Sequence, residues 1–320
     1  MDYGLFMATT SFEWFIDEYC YFRGAIYLRG WAFHPQHAVR EFGYQLPGQI
    51  YKCLQGYGQE SGDVVAHFGS NTAQYCRFLT AIPLANPNLA LQMQLVFVLE
   101  NHITVVIQNI TEKAVQTDAY HALSRNFFRQ LQQFTEGTVA ELGARARSGL
   151  SRRDIVPGHL KYIGMDILDG DNVDVVGDAH DLSHLFPSNS IDAIFSISVF
   201  EHLLMPWKVA LEMNHVLKMG GLVMISTHQT WAIHDAPWDF WRFSDRAWHG
   251  LFNEFTGFEI IDTALGLPAS IVAHHLSAPT LHLESQLAYL GSSVLCRKIH
   301  ETSLSWAVDI AKLTQDIYPA

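Results

Sequence analysis

The chain has 320 residues, enough for two domains, with 49% hydrophobic and 16% charged side chains, a balance that buries a sizeable core and does not look disordered. Its formal net charge of -12 at pH 7 argues against nucleic acid or an anionic membrane as partner, because both select basic surfaces, and favours a small neutral or soluble substrate. Four scattered cysteines, Cys20, Cys53, Cys76 and Cys296, form no CxxC pair and read as buried thiols of a reducing compartment. The first residues carry acids and no basic run of the kind that opens a secretory signal, and no apolar stretch approaches the roughly 20 residues of a membrane helix. The expectation is a cytoplasmic protein with no membrane span.

From about Gly24 to Ile110 the pattern has a period of two, broken by Gly, Pro and Asn turns. Strands are predicted at 25–33 and 74–84. Leu91, Met93, Leu95, Phe97 and Leu99 alternate with Gln92 and Gln94, and a second run at 103–107 completes a hairpin. No amphipathic helix interrupts these strands, so residues 1–115 read as a small antiparallel β-sandwich domain. Tyr120, Leu123, Phe127, Leu131 and Phe134 then recur at three and four, one face of a helix over 119–134, within a helical linker at 116–135. Strands follow at 138–142, 161–165 and 191–198. A helix at 206–218 is stopped by Gly220-Gly221, and further strands lie at 222–226, 258–264 and 292–299. Alternating strands and helices imply an α/β domain over 136–320, with a Rossmann-like, mostly parallel sheet binding ligands at the carboxyl ends of its strands.

Candidate site residues fall at those ends. Glu141 and Gly143 close the first strand of the second domain, the glycine allowing a sharp turn close to a ligand. Asp166 follows roughly 25 residues on, near where a dinucleotide fold places the acid that binds ribose hydroxyls. Asp178 comes next, and Glu201 and His202 end the central strand. Arg145 and Arg147 stand where a pyrophosphate-binding loop must be bare, which weighs against a dehydrogenase. Each acid taken alone is more often a cap or turn residue; their order and spacing together carry the signal.

On "VAELGARARSG", "YIGMDI", "VVGDAHDLS", "SIDAIFSISVFEHLLMPW", "VLKMGGLVMIST" and "HDAPWDFWRFS", residues 119–300 resemble the class I S-adenosylmethionine-dependent methyltransferases, in particular a subgroup acting on small molecules and sugars. The resemblance implies a seven-stranded sheet and S-adenosylmethionine as cofactor. It sets Glu141, Gly143, Ala144 and Arg145 against the cofactor's methionine part. Asp166 and Ile167 fall at its ribose, Asp178, Ala179 and Leu182 at its adenine, and Ser198 to His202 beside the methyl group. The family's loop carries glycine where Arg145 stands, and the short interval to Tyr162, holding Pro157 and Gly158, leaves the helix after this loop reduced or missing.

Methyl transfer to a hydroxyl calls for a base, and His202, His228 and His234 fall near the expected active face, although 17 histidines make any one of them more often a packing or surface residue. His180, His184, His274 and His275 read as structural, with no metal site. "HDAPWDFWRFSDRAW" reads either as a helix packing an aromatic face or as a substrate wall with Trp238, Asp239, Trp241 and Arg242 on a small-molecule or glycan acceptor. The favoured function is O-methylation of a sugar or other small polar acceptor. The alternative is a non-catalytic methyltransferase fold serving as scaffold beside glycan-building enzymes. The "IYLRGWAF" strand is similar to β-modules on bacterial enzymes of polysaccharide assembly. The first domain reads as a stability or dimerisation module, giving a homo-oligomer, or as a glycan-docking one through Tyr27, Trp31, Phe33 and Tyr44.

Overall fold

The computed structural model describes residues 12–49, 51–112, 118–147, 149, 151–275, 277–283 and 286–313. The chain divides into two units, Met1–Thr117 and Asp118–Ala320.

The alternating strands of the first unit are β1 (Glu13–Phe22), β2 (Ala25–Phe33), β3 (Val39–Gln45), β4 (Lys52–Cys53), β5 (Tyr57–Gln59), β6 (Arg77–Pro83), β7 (Gln94–Leu99) and β8 (Thr104–Ile107). They form two antiparallel sheets, ordered β1-β2-β6-β5 and β4-β3-β7-β8. Inward residues of both meet in one core: Ile26, Leu28 and Phe78 from the first sheet, Phe42, Leu95 and Phe97 from the second. The Phe42 ring lies 4.9 Å from Phe78 and 5.1 Å from Phe97, which closes the sandwich.

Several sequence expectations are corrected here. β7 begins at Gln94 and not at 91, because Pro87–Gln92 winds into a 3-10 helix capped by the Asn86 side chain, leaving Leu91 81% exposed. A short helix, α1 (Gly62–Phe68), does interrupt the strands; burying only Val64, it offers no periodicity to detect. Phe33 and Tyr44 are core residues, and Trp31 packs edge-on against Phe68, so of the four aromatics considered for docking only Tyr27 stands exposed. Cys76 and Cys296 are buried thiols, whereas Cys20 and Cys53 are exposed.

The second unit opens with α2 (Ala119–Leu131), started by the Asp118 carboxylate, which accepts the Tyr120 and His121 N–H groups. It continues through β9 (Thr138–Leu142), β10 (Lys161–Asp166), β11 (Val175–Val176), β12 (Ile191–Ile197), α3 (Pro206–Val216), β13 (Leu217–His228), β14 (Phe258–Ala269) and β15 (Ala288–Lys298). These strands form one seven-stranded sheet ordered β11-β10-β9-β12-β13-β15-β14, parallel from β11 to β13, with β15 antiparallel to both neighbours. Strand order reverses between β9 and β12, and the crevice of such a sheet opens at that switch, outside the carboxyl ends.

The helix expected as a linker is part of this second unit. Its Leu123, Phe127 and Leu131 pack in one cluster with Phe195, Leu222 and Leu295 of the sheet. Gly220-Gly221 do not stop a helix either: α3 ends at Val216, and the glycines lie in an irregularity of β13, where Leu217 and Leu222 both pair with β12 and the register shifts between them. Between β9 and β10 the described residues hold only a 3-10 turn, Arg153–Ile155, so the helix after the first loop is missing as anticipated. Among the described residues no helix is long and apolar enough to cross a membrane.

Lys298 is 1% exposed at the end of β15. Its ammonium is surrounded by the carbonyls of Asn214 (2.6 Å) and Leu217 (2.7 Å), Asn189 Oδ1 (3.1 Å) and Glu301 Oε1 (2.7 Å), fastening the junction of α3 with β13. Replacing Lys298 by Met strips these acceptors of their donor and is expected to cost about 2–4 kcal/mol in denaturant unfolding.

Candidate active site

At the end of β9 the chain turns at Gly143, whose φ of +77° is left-handed and whose missing Cβ would fall 2.1 Å from Val199 Cγ2. The N–H groups of Gly143 and Ala144 donate to Met165 O at 2.8 and 2.9 Å, folding the loop onto β10. Asp166 ends β10. Its Oδ1 accepts from Leu168 N (3.0 Å) and its Oδ2 from Arg145 N (3.2 Å), leaving each oxygen one further lone pair. Asp178 accepts from His180 at both N (2.9 Å) and Nδ1 (2.6 Å). Burial pushes the Asp178 carboxyl up, but the His180 bonds outweigh it and hold the group below its ordinary value. His180 Nε2 in turn accepts the Met205 N–H at 3.1 Å, so this buried histidine is structural, as its sequence context suggested. Ser198, after β12, takes a φ of +55°, a strained turn at the strand tip.

These tips surround one cavity of about 510 Å³, within the roughly 300–1,000 Å³ usual for small-molecule sites. Gly143, Arg145, Asp166, Ile167, Asp178, Ala179, Ser198, His202, His234 and Trp238 line it, so ten of the residues expected from sequence converge. Arg145 does not block Gly143: its Cγ and Cδ lie about 3 Å from where a Cβ on Gly170 would stand, and its Nε is 3.8 Å from Asp166 Oδ1.

Seven expected residues are not on the lining. Glu141 is 1% exposed, holding the Arg152 guanidinium (3.2 Å) and the Tyr162 hydroxyl. Burial raises its carboxyl above the ordinary range, partly opposed by those two donors. Ala144 is buried beside β10, where its Cβ would meet any side chain at Gly164. Trp241 turns its ring to Trp207, 5.9 Å away, and donates to Leu204 O. Asp239 and Arg242 form a two-pronged ion pair (2.5 and 2.7 Å), which places the Asp239 carboxyl well below its ordinary value. Arg242 also donates to Trp231 O and Ala232 O, and Asp239 accepts His234 N, so this pair braces the loop that carries His234.

Glu201 and His228 lie just behind the lining. The Glu201 carboxylate is fully buried, takes the Thr227 hydroxyl proton on Oε2, and faces His228 Nε2 at 3.1 Å from Oε1. Burial works to raise this carboxyl; the His228 imidazole and Thr227 hydroxyl outweigh it and hold it below the ordinary value. His202 sits 3.7 Å from Glu201 Oε1 through Nε2, and its Nδ1 is 2.5 Å from Trp238 O, which puts the ring proton on Nδ1.

Sequence reasoning missed Arg152, and it did not foresee that Arg147 and Asp235 pair; all three are on the lining. Arg147 donates to Asp235 at 2.7 and 3.3 Å, joining the loop after β9 to the loop after β13. This bond spans 88 positions, so no local pattern announces it.

Residues 135–225 match the family model of the methyltransferase domain. Among solved structures the chain is similar to the YcgJ protein of Bacillus subtilis, at 17% identity and a TM-score of 0.41, covering 56% of this chain and 99% of that one. A SAM-dependent methyltransferase from Archaeoglobus fulgidus matches at 13% identity and a TM-score of 0.41, covering 56% and 95%. No curated protein matches the chain. Replacing Gly143 by Ala, which adds a methyl group against Val199 at a left-handed position, is expected to destabilise the protein by about 2 kcal/mol or more, read as a lowered denaturation midpoint.

Proposed function

We propose that residues 135–225, which match the model of the methyltransferase domain, bind S-adenosylmethionine, and that the protein methylates an oxygen of a sugar or other small polar acceptor, in the assembly of a glycan. The observation that carries the reading is a cavity flanked by Asp166 at one strand tip and by Ser198 and His202 at another.

The residues present fit the cofactor. Asp166 keeps one lone pair on each oxygen for the two ribose hydroxyls. Asp178 and Ala179 border the adenine end, among apolar Ile167, Leu168 and Leu203. Arg152, held by buried Glu141, brings a cation to the cavity that suits the methionine carboxylate. Glu141 therefore acts through Arg152 and not by touching the cofactor.

S-adenosylmethionine supplies a methyl group on a positively charged sulfur, ready for in-line displacement. The chain's own task is alignment, worth several powers of ten when reacting atoms are held in contact. His202, with its proton fixed on Nδ1 by Trp238 O, lines the cavity with its Nε2 3.7 Å from Glu201 Oε1, and takes the acceptor's hydroxyl proton on that nitrogen. The Trp238 ring supplies a face on which a sugar ring stacks, and the Arg147–Asp235 pair offers partners for its hydroxyls. Asp239, Trp241 and Arg242 support this wall from behind.

Titration calorimetry with S-adenosylmethionine and S-adenosylhomocysteine tests the cofactor: binding is expected, and none at millimolar ligand overturns the reading. Asp166→Ala is expected to weaken binding about 10- to 100-fold, the loss of two hydrogen bonds to a carboxylate. Methyl-labelled cofactor offered with sugars and nucleotide sugars is expected to yield base-stable, ether-linked label; base-labile label would mean a carboxylate acceptor instead. With such a substrate, His202→Asn is expected to lower turnover by about 10² to 10⁴ while affinity for S-adenosylhomocysteine stays within about threefold.

A further inference from the structure

Only one of the two oxygens of the buried Glu201 carboxylate is satisfied. Oε2 takes the Thr227 hydroxyl proton, whereas Oε1, equally buried, has no hydrogen-bond donor among the described residues. What faces Oε1 is imidazole nitrogen: His228 Nε2 at 3.1 Å, His202 Nε2 at 3.7 Å and His234 Nε2 at 4.0 Å. The first is close but off the line a hydrogen bond needs, and the other two are too far for one.

The other side of the His234 ring decides what its Nε2 carries. Nδ1 lies 3.2 Å from Asp239 Oδ2 and 3.2 Å from Ala232 O, both acceptors, so the ring proton belongs on Nδ1 and Nε2 presents a lone pair. Asp239 is fixed in that position by Arg242 and by the His234 N–H. A buried carboxylate oxygen and the His234 Nε2 lone pair that faces it repel one another unless a cation stands between them.

We propose that Glu201, His228 and His234 bind a divalent first-row transition ion of the Zn²⁺ kind. Their ligand atoms lie within 4.8 Å of one another; bonds of about 2.0–2.2 Å then ask each to close by roughly 0.5 Å. Two imidazoles and a carboxylate make a three-ligand set with a position left open, and imidazole donors favour such ions over Mg²⁺ and Ca²⁺, which prefer oxygen. The Arg242–Asp239–His234 chain is the support such a ligand needs, a carboxylate taking the Nδ1 proton and orienting the ring. A second group, His202, His234 and Asp235, meets the same spacing, but Asp235 is already engaged by Arg147 at 2.7 Å. Because His234 lines the cavity, the ion stands in its wall. The proposal rests on ligand geometry alone and holds whether or not the methyl acceptor is a sugar.

The full chain, stripped with a chelator and titrated with ZnCl₂, is expected to take up one equivalent with a Kd below about 1 μM. Co²⁺ in its place is expected to give the visible absorption bands of an ion held by nitrogen and oxygen. His228→Asn and His234→Asn are each expected to weaken Zn²⁺ uptake at least about 100-fold and to remove those bands, and Asp239→Asn to weaken it about 10- to 100-fold. No stoichiometric uptake by the unaltered protein at about 100 μM Zn²⁺, or uptake undiminished in both histidine variants, overturns the proposal. Should a variant lose its near-ultraviolet dichroism, the unaltered protein's Co²⁺ spectrum decides: no imidazole-bound bands, no site. Titration of S-adenosylhomocysteine into the stripped protein separates the two readings, since cofactor binding without metal uptake overturns only this one.

Discussion

Glu201 holds the active end of the second unit together through both its side chain and its main chain. The carboxylate is sealed from water against Thr227 of β13, while its carbonyl accepts the N–H groups of Phe240 (2.8 Å) and Trp241 (3.1 Å). One residue thus ties the tip of β12 to the tip of β13 and to the loop that returns past His234. A buried carboxylate is expensive unless compensated, so the groups gathered around it are constrained to remain. The order of that loop follows: Asp239 and Arg242 pair with each other and with the backbone, Trp238 O takes the His202 ring proton, and two histidines come to border the cavity.

The opposite wall is built without the helix that the loop after β9 would ordinarily start. Its place is taken by arginines pinned by acids: Arg152 by Glu141, Arg153 by Asp174 and Arg147 by Asp235. The cavity on this side is therefore closed by ion pairs and not by a packed helix face. Arg145, the residue most at odds with a glycine-rich loop, lies along Gly170, where the absence of a side chain gives it room. A substitution that looks damaging in the sequence is accommodated by a glycine 25 positions away.

The strand tips were legible because each acid ends an apolar run, and the direction of a parallel sheet puts such ends on one edge. β9 and β2 fall on their expected boundaries: each is a short run that begins just after a glycine, Gly137 or Gly24, with nothing local competing. Where local chemistry competed, periodicity misled, as at Leu91, where an asparagine cap and a proline wound the chain into a helical turn. The roles of Asp239 and Arg242 were misread because composition shows that charges are present but not which partner each one takes. Glu141 was misplaced similarly. A carboxylate at the end of a strand looks available to a ligand until Tyr162 and Arg152 are seen to occupy it.

Asp118, besides starting α2, accepts the Leu267 N–H at 2.7 Å on its other oxygen, and Tyr120, two residues on, packs where side chains at Gly266 and Gly291 would stand. The start of the second unit is thus sealed onto the sheet from within that unit, one carboxylate serving both as helix cap and as partner of a strand.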